Sequence, residues 1–319
     1  MRAIPLLTLL LGGWFVVPAH ANEAQDWLTR LGQAEQQQSF QGTFVYERNG
    51  SFSTHNIWHR VQDGKVHERL VQLDGSAQEV VRIDGQTQCV SGSLMAGVGD
   101  SSTSTARALD PQKLKNWYDL AVIGKSRVAG RPAVIVLLTP RDQHRYGFEL
   151  HLDKETGLPL KSLLLDDKGR LLERFQFTRL DPAAIPSDSD LQPGSDCKPV
   201  RIDSDKAVAV KDARVWHSDW VPPGFELSSS TTRKDPQTKA LVSSLMYDDG
   251  LARFSVFLEP LSGTGISDTR TQLGPTAAVS RRLSTPQGEM IVTVVGEIPI
   301  GTAERIALSM RTDVPATQQ

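Results

Sequence analysis

Residues 39–60 read SFQGTFVYERNGSFSTHNIWHR, and this stretch decides the fold of the chain. The runs Phe44-Val45-Tyr46 and Ile57-Trp58 are rich in aromatic and β-branched side chains, and Asn49-Gly50 lies between them. Asn-Gly favours the tight turn that joins two antiparallel strands, because both residues tolerate positive φ. The stretch therefore predicts a β-hairpin.

Similar turn signals follow the hairpin at regular intervals. Asp63-Gly64, Asp74-Gly75 and Asp84-Gly85 recur roughly every ten residues and separate apolar runs at residues 65–73 and 79–83. This spacing is typical of an antiparallel meander. Since the connections are too short for helical crossovers, a parallel sheet is excluded in this region.

The strand pattern continues to Leu180. In residues 146–153, apolar Tyr146, Phe148, Leu150 and Leu152 alternate with Gly, Glu, His and Asp, which predicts one buried and one wet face. We expect about nine to eleven strands by this pattern. A sheet of that size must twist and curl. The predicted fold is therefore mainly β: an unclosed antiparallel barrel with helices against an apolar concave face.

Two segments in this half predict helices. Residues 22–38 have apolar side chains at helical spacing on one face: Trp27, Leu28, Leu31 and Ala34. Asp110-Pro111 is an N-cap followed by a first helical position, so we expect a short helix there. The predicted helix carries Leu114, Trp117 and Tyr118 on one side.

The two ends of the chain and a polar segment divide it into parts. Residues 1–21 resemble a signal peptide, because Arg2 precedes a short apolar run and Ala19-His20-Ala21 forms a small-residue cleavage pattern. The apolar run is too short to span a bilayer, so we expect an exported chain without a transmembrane segment. The predicted parts are a signal peptide (1–21), a barrel domain (22–180), a linker rich in Pro, Ser and Asp (181–213), a small domain (214–313) and a tail (314–319).

The small domain carries fewer signals. Strands are predicted at residues 241–247, 251–258 and 290–295, and a closing helix at residues 302–311. Strands followed by one helix indicate a small α+β domain.

Cys89 and Cys197 are the only cysteines of the chain. In an oxidising compartment two cysteines can pair, but the sequence alone leaves the pairing open. No histidines accompany them at metal-ligand spacing, so no metal site is predicted.

Catalytic and nucleic-acid signals are weak. The 35 basic and 37 acidic residues are interspersed, which gives no electrostatic footprint for nucleic acid. Gly99-Asp100-Ser101 lies in the Ser/Gly/Thr-rich stretch 92–109 without the context of a nucleophile elbow. His55, His59 and His67 are predicted on the polar outer face. A binding protein without a cofactor is therefore predicted in preference to an enzyme.

The aromatic and basic residues supply two sets of binding candidates. Candidates for an apolar lipid groove are Phe44, Tyr46, Trp58, Trp117, Phe148 and Leu150. Candidates for a partner surface in the small domain are Arg253, Phe254, Phe257, Arg281 and Arg282. The first composition suits an acyl chain and also ordinary core packing. The second suits a partner interface and also a solvated basic face.

Several runs together resemble the MucB/RseB family of periplasmic regulators. The runs are FQGTFVY (40–46), RDQHRYGF (141–148), TGLPL (156–160), WVPPGF (220–225) and DGLARFSV (249–256). The predicted signal peptide also agrees with this family. The likeness covers essentially the whole mature chain.

This resemblance implies a fold like that of the LolA and LolB lipoprotein carriers, followed by a small domain. It also implies a negative regulator that binds the periplasmic part of an anti-sigma factor (MucA or RseA) and shields it from the site-1 protease. Lipopolysaccharide or another acylated lipid would release that partner in envelope stress, and in pseudomonads the output includes alginate production. A periplasmic lipid or lipoprotein carrier is the alternative, and homo-oligomerisation is left open.

Overall fold

The structure is a computed structural model. It describes residues 19–76, 78–91, 109–200, 216–235, 238–261, 268–286 and 288–312. The first 18 residues of the predicted signal peptide, residues 92–108 with Ser101, residues 201–213 of the predicted linker and the predicted tail lie outside the described residues.

Among the described residues, eleven antiparallel strands form one large sheet in the first domain. They are β1 (Phe40–Arg48), β2 (Ser51–Gln62), β3 (Lys65–Gln72), β4 (Glu79–Ile83), β5 (Gln86–Val90), β6 (Tyr118–Val128), β7 (Arg131–Pro140), β8 (Gly147–Asp153), β9 (Pro159–Leu165), β10 (Leu171–Asp181) and β11 (Lys198–Pro199). Their order is β11-β5-β4-β3-β2-β1-β10-β9-β8-β7-β6. Since β6 and β11 remain as edges, the barrel is unclosed, which confirms the predicted fold class.

Local turn chemistry sets the register of the first hairpin. Asn49 has φ 53° and Gly50 has φ 73°, so both central residues occupy the left-handed region that this turn requires. The turn places Phe44 opposite His55 and Phe40 opposite His59 across β1 and β2. The predicted hairpin is confirmed.

Two helices of this domain lie close to where the sequence predicts them. Helix α1 spans Ala19–Gln37. Helix α2 spans only Pro111–Leu114 and is capped by the Asp110 side chain, which accepts hydrogen bonds from two backbone amides. The predicted helical face was therefore partly wrong, because Trp117 follows the helix in a turn and Tyr118 begins β6.

Helix α1 packs inside the curl of the sheet. Trp27, Leu28 and Leu31 form one core cluster with side chains of β6, β7 and β8. Ala34, near the end of the helix, packs instead with a second cluster that includes Phe44 of β1. The helix thus fills the half of the concave face that β6–β8 line.

The predicted outer-face position of the histidines on β2 was wrong. Phe40 and His59 are stacked, with ring centroids 4.6 Å apart, and His59 is 4% exposed. The His59 imidazole also lies 2.9 Å from the Glu68 carboxylate and 3.0 Å from the Glu35 carbonyl of α1. His59 faces the helix, and His55 stacks on Phe44 of the same face with ring centroids 5.1 Å apart. The sheet curls toward that side, a tertiary feature that alternation alone does not specify.

The predicted wet face of β8 was also wrong. His151 is 5% exposed and lies 2.7 Å from the Ser126 hydroxyl, while Asp153 is fully buried. Arg131 of β7 donates to the Asp153 carboxylate at 2.5 Å. Polar side chains on neighbouring strands form hydrogen bonds with these groups, so a polar residue at these positions does not indicate exposure to solvent.

Residues 182–200, part of the predicted linker, cover the other face of the sheet. Helix α3 (Asp188–Leu191) lies here, and the Arg69 guanidinium donates to the Asp190 carbonyl at 3.0 Å. Cys197 and Cys89 form a disulfide that closes a sequence separation of 108 residues. This segment is therefore fixed to β3 and β5.

Among the described residues of the second domain, six strands form one antiparallel sheet. They are β13 (Glu226–Lys234), β14 (Leu241–Asp248), β15 (Arg253–Pro260), β16 (Thr269–Leu273), β17 (Thr276–Thr285) and β18 (Gly288–Gly296), in the order β13-β14-β15-β18-β17-β16. A two-stranded ladder of β12 (Trp216–Ser218) and β19 (Met310–Thr312) adjoins them.

Helix α4 (Ile300–Ser309) closes the second domain, two residues short of the predicted end. Its Ile306 and Ala303 pack in one core cluster with Phe254, Val256 and other side chains of the sheet. The predicted α+β class is confirmed, although the sequence did not indicate β13, β16 and β17.

In the part of the chain that the structure describes, none of the helices has the length and apolar character of a membrane span.

Candidate functional site

A buried arginine joins the two domains. Arg145 lies in the loop between β7 and β8, where the Asp142 carboxylate accepts from the His144 backbone amide at 2.9 Å. The Arg145 guanidinium donates to Asp142 at 3.0 Å, to Asp249 of the second domain at 2.6 Å and to the Pro223 carbonyl. The side chains of Arg145 and Asp249 are both 0% exposed. We call this arrangement the arginine joint.

The surroundings of the joint compensate its charges. Asp249 also accepts from the Leu251 amide at 2.9 Å, the Ala252 amide at 2.7 Å and the Tyr118 hydroxyl at 3.3 Å. The guanidinium of Arg145 lies 5.0–5.6 Å from the centroids of three aromatic rings, those of Trp117, Tyr118 and Phe225. A buried ion pair with this many partners fixes geometry, because loss of one member leaves the other charged and unsolvated.

Gly224 allows the domains to approach closely beside the joint. Its φ is +88°, and a Cβ built there would lie 2.3 Å from the Trp117 indole. Only glycine combines this backbone conformation with this contact. Trp117, a predicted lipid-groove residue, therefore lies at the domain interface.

A second contact links the domains at the end of β1. Arg48 donates to Glu297 at 3.1 Å and to the Thr276 hydroxyl, and it lies 3.7 Å from Glu173 of β10. The Tyr46 hydroxyl donates to the same Glu173 carboxylate at 2.6 Å. Burial raises the pKa of Glu173 above its usual range, so this side chain holds its proton more tightly than an exposed glutamate.

An open cleft of about 730 Å³ lies between the β7–β8 loop and helix α4. Both domains line it, including Leu137, Pro140 and Leu165 of the first domain and Pro299, Gly301 and Thr302 of the second. We call this feature the interdomain cleft. Its apolar lining is interspersed with charged side chains, among them Asp142, Asp166, Asp167 and Arg305, and this combination suits a peptide.

Aromatic and basic side chains gather at one end of the cleft. The Arg305 guanidinium lies 3.8 Å above the Trp220 ring, and the His144 ring packs edge-on to the same tryptophan at 5.0 Å. The His144 Nδ1 is 3.1 Å from the Thr302 hydroxyl. Burial is the main cause that lowers the pKa of His144; Asp142 opposes this shift, and Arg305 and Arg145 contribute to it to a smaller extent. His144 is therefore neutral at pH 7.

The concave face of the first sheet remains partly uncovered beyond helix α1. Tyr46, Ile57, Leu70 and Phe175 are half-buried there and pack on the cluster around Phe44. The Glu35, Glu68 and His59 side chains lie close together at the edge of this face. The concave face therefore combines an apolar wall with a polar margin.

The six predicted lipid-groove residues do not form one surface. Phe44 and Leu150 are each 7% exposed in the two core clusters, and Tyr46 and Phe148 are half-buried on the same concave face. Trp58 pairs with Gln41 and Arg69 on the opposite face, where the Arg69 guanidinium lies 5.3 Å from its ring.

The five predicted partner residues are also divided. Phe254 is 1% exposed in the core of the second domain. Arg281 forms ion pairs with Glu304 of α4 and Asp268. The remaining three, Arg253, Phe257 and Arg282, lie on the face of the sheet away from the core.

Sequence reasoning did not single out Arg145, Asp249, His144, Trp220 or Arg305 as site residues. A signal was nevertheless present, because three runs that carry the family resemblance, 141–148, 220–225 and 249–256, meet at the arginine joint. Their convergence required the fold, since Arg145 and Asp249 are 104 residues apart.

These features define a class: a two-domain protein with a concave antiparallel sheet in the first domain and an open cleft between the domains. Models of the MucB/RseB N-terminal domain and the MucB/RseB C-terminal domain match residues 23–195 and 210–311, respectively. The chain belongs to the MucB/RseB family.

Relatives support this assignment over the full length. The chain is 59% identical to the sigma factor AlgU regulatory protein MucB of Pseudomonas aeruginosa, with 99% of both chains covered. It is 28% identical to the sigma-E factor regulatory protein RseB of Haemophilus influenzae, covering 98% of this chain and 99% of the relative. MucB in the solved complex of P. aeruginosa MucA and MucB has a TM-score of 0.82 at 58% identity, covering 92% of this chain and 100% of that chain.

Proposed function

We propose that this protein is a periplasmic negative regulator that binds the periplasmic segment of a membrane anti-sigma factor of the MucA/RseA type. Bound in this way, the segment is shielded from the site-1 protease, and an acylated lipid releases it. The observation that supports partner binding is the 58% identity to MucB from a complex with MucA, over 92% of this chain.

The interdomain cleft is the proposed place of the partner segment. Its volume of about 730 Å³ and its walls of mixed apolar and charged side chains suit several residues of an extended peptide. Because both domains supply walls, a bound segment touches both and its affinity depends on their arrangement. The arginine joint holds that arrangement before the partner arrives, which lowers the ordering cost of binding.

The concave face of the first sheet is the proposed place of the lipid. Its half-buried apolar side chains, among them Tyr46, Ile57 and Leu70, offer a surface for an acyl chain. Tyr46 and Arg48 both contact the Glu173 carboxylate, and Arg48 also contacts Glu297 of the second domain, so a lipid at this end of β1 acts on the domain interface. By linkage, lipid and partner must weaken each other's binding by the same factor.

The proposal is tested with the full mature chain and a synthetic periplasmic segment of the anti-sigma factor. We expect binding, protection of the segment from site-1 cleavage, and loss of both on addition of lipopolysaccharide. Absence of binding with and without lipopolysaccharide rejects the regulator, and binding that lipopolysaccharide leaves unchanged rejects the lipid release.

A matched pair of variants at one position tests the cleft. A Cβ at Gly301 meets no atom within 4 Å, so Gly301→Trp places an indole in the cleft while Gly301→Ala leaves it open. We expect the tryptophan variant to lose partner binding and the alanine variant to retain it. Equal binding by the two variants would mean that the partner binds outside the cleft.

A lipid or lipoprotein carrier is the second candidate, and the half-buried apolar side chains of the concave face favour it. A carrier moves acylated cargo from donor to acceptor membranes without an anti-sigma segment. Transfer of acylated cargo between membranes by far fewer copies of the full chain than of the cargo supports this function. Binding of the cargo without transfer supports the regulator.

A further inference from the structure

A polar pocket of about 190 Å³ lies on the outer face of the first sheet. Its lining includes side chains of β1, β2 and β10: Gln41, Thr43, Asn56, Trp58, Arg179 and Asp181. Cross-strand pairing arranges them in two rows, one centred on Gln41 and one on Thr43. Because neighbouring strands lie about 4.8 Å apart and alternate residues about 6.8 Å apart, the rows cover about 10 by 7 Å. We call this feature the outer-face pocket.

A β-bulge lies beside the outer-face pocket. Phe44 pairs with Phe177 of β10, whereas its neighbour Thr43 pairs with Arg179, so Thr178 is the extra residue. The Thr178 hydroxyl donates to the Thr43 carbonyl at 3.1 Å. A bulge bends its strand and redirects the side chains that follow. Arg179, next in the strand, is exposed, and no residue that the structure describes offers its guanidinium a hydrogen bond or an ion pair.

Other polar groups of the pocket also have hydrogen-bonding capacity to spare. The half-buried Gln41 amide has no partner among the described residues. The Thr43 hydroxyl donates to Asn56 Oδ1 at 2.7 Å, which leaves both amide hydrogens of Asn56 available. Asp181 accepts from the Ala183 backbone amide through Oδ1 at 3.1 Å, which leaves Oδ2 available. The pocket therefore offers donors and acceptors side by side.

Trp58 supplies apolar surface beside these groups. The Arg69 guanidinium lies 5.3 Å from the centroid of the Trp58 ring, and it donates to the Glu79 carboxylate at 2.7 Å and to the Asp190 carbonyl at 3.0 Å. Arg69 pairs with Trp58 from β3, whereas Gln41 pairs with it from β1. One side of the indole is therefore fixed by a cation, and the other side borders the pocket.

This combination of groups is suited to a sugar. A pyranose ring has an apolar face of C–H groups that can pack on an indole, and each of its hydroxyls both donates and accepts. Amide, carboxylate and guanidinium groups present planar sets of donors or acceptors that can bind two adjacent hydroxyls. Arg179 and Asp181 carry opposite charges on alternate residues of one strand, which favours a neutral sugar. An acyl chain gains little here, because it would desolvate these polar groups.

We infer that the outer-face pocket binds one neutral hexopyranose unit of an oligosaccharide. Trp58 packs against the C–H face of the ring, and the side chains of both rows bind its hydroxyls. The pocket is on the face of the sheet opposite the proposed lipid surface, so sugar and lipid occupy separate sites.

Titration of the full mature chain with chitotriose and with maltotriose tests the site. We expect at least one of these neutral oligosaccharides to bind with a dissociation constant of about 1 mM, since the pocket holds a single ring. Nuclear magnetic resonance detects binding of this strength. The indole N–H signal of Trp58, identified by its absence from the spectrum of Trp58→Phe, should shift on binding.

Variants locate the sugar. Gln41→Ala and Arg179→Ala should each weaken binding by about three- to tenfold, because each removes hydrogen bonds to the ligand. Neither side chain has a partner among the described residues, so both variants should fold normally. Trp58→Ala should abolish binding. Arg127→Ala is the matched control, because Arg127 is exposed on β6 outside the pocket, and it should keep the original affinity within about twofold.

Three outcomes overturn the inference. The first is no binding of either oligosaccharide up to about 10 mM. The second is unchanged affinity in both Gln41→Ala and Arg179→Ala, which decide the question even if Trp58→Ala does not fold. The third is displacement of the bound sugar by lipopolysaccharide, which would place it in the lipid site. Circular dichroism of each variant checks that it is folded.

Discussion

Replacement of Arg145 by Met should uncouple the two domains and destabilise the protein. Met retains much of the apolar stem of arginine but removes its five donors, so Asp249 is left buried without a counter-charge. Both side chains are 0% exposed, and breaking such a pair by removing one member costs about 3–5 kcal/mol. The amides of Leu251 and Ala252 still bind Asp249, which places the expected loss near the lower limit, about 3 kcal/mol.

The assay is urea unfolding followed by near-ultraviolet circular dichroism and tryptophan fluorescence. Arg141→Met is the matched control, because Arg141 lies in the same loop and pairs with Asp119 while both side chains are more than half exposed. That pair is worth about 0–1 kcal/mol. Asp249→Asn combined with Arg145→Met should be more stable than Arg145→Met alone, since no charge is left buried. Equal stability losses in Arg145→Met and Arg141→Met would refute the reasoning.

Three further predictions concern the disulfide, the close contact and the cleft. Replacing Cys89 and Cys197 by Ser should lower the free energy of unfolding by about 4.7 kcal/mol in the chain-entropy model, measured by urea unfolding against the oxidised chain. Gly224→Ala should cost more than Gly64→Ala, because both glycines have positive φ but only the first would place its methyl group against the indole; their midpoints of thermal unfolding decide this. His144 has a lowered pKa in the folded state, so its contribution to stability is complete above the ordinary histidine pKa of about 6.5 and is lost as the pH falls through the folded value. His144→Gln should therefore flatten the stability profile between about pH 7 and pH 5, and an unchanged profile would contradict this.

The hairpins and meander could be predicted because their determinants are local. Asn49-Gly50 and Asp63-Gly64 fix tight turns by their backbone preferences, and in the structure all four residues have positive φ. Helix α1 was predictable for a similar reason, since its apolar face repeats at the helical period.

The face of the sheet on which a side chain lies, and the contacts between residues far apart in sequence, were not predictable in this way. His59 lies on the buried side because the whole sheet curls toward α1, which no alternation pattern within β2 encodes. Strands β13 and β16 escaped prediction because exposed edge strands have no apolar period.

The candidate site was the least predictable feature. Arg145 is hydrophilic in sequence and fully buried in structure, because its partner Asp249 comes from the other domain. Aromatic residues suggested a lipid groove, yet Trp117 packs at the interface and Trp58 lies on the outer face, since residue type does not specify which surfaces meet. The run that contains Arg145 was visible only through its family resemblance.

The most direct test of the central claim is site-specific photo-crosslinking of the full chain to the periplasmic segment of a MucA-type anti-sigma factor. A photoreactive residue at Gly301 in the interdomain cleft should capture the segment, and lipopolysaccharide should reduce the yield. The same residue at Phe52, which is 62% exposed on the outer face of the first sheet, should capture none. Capture at Phe52 with none at Gly301 would contradict the account.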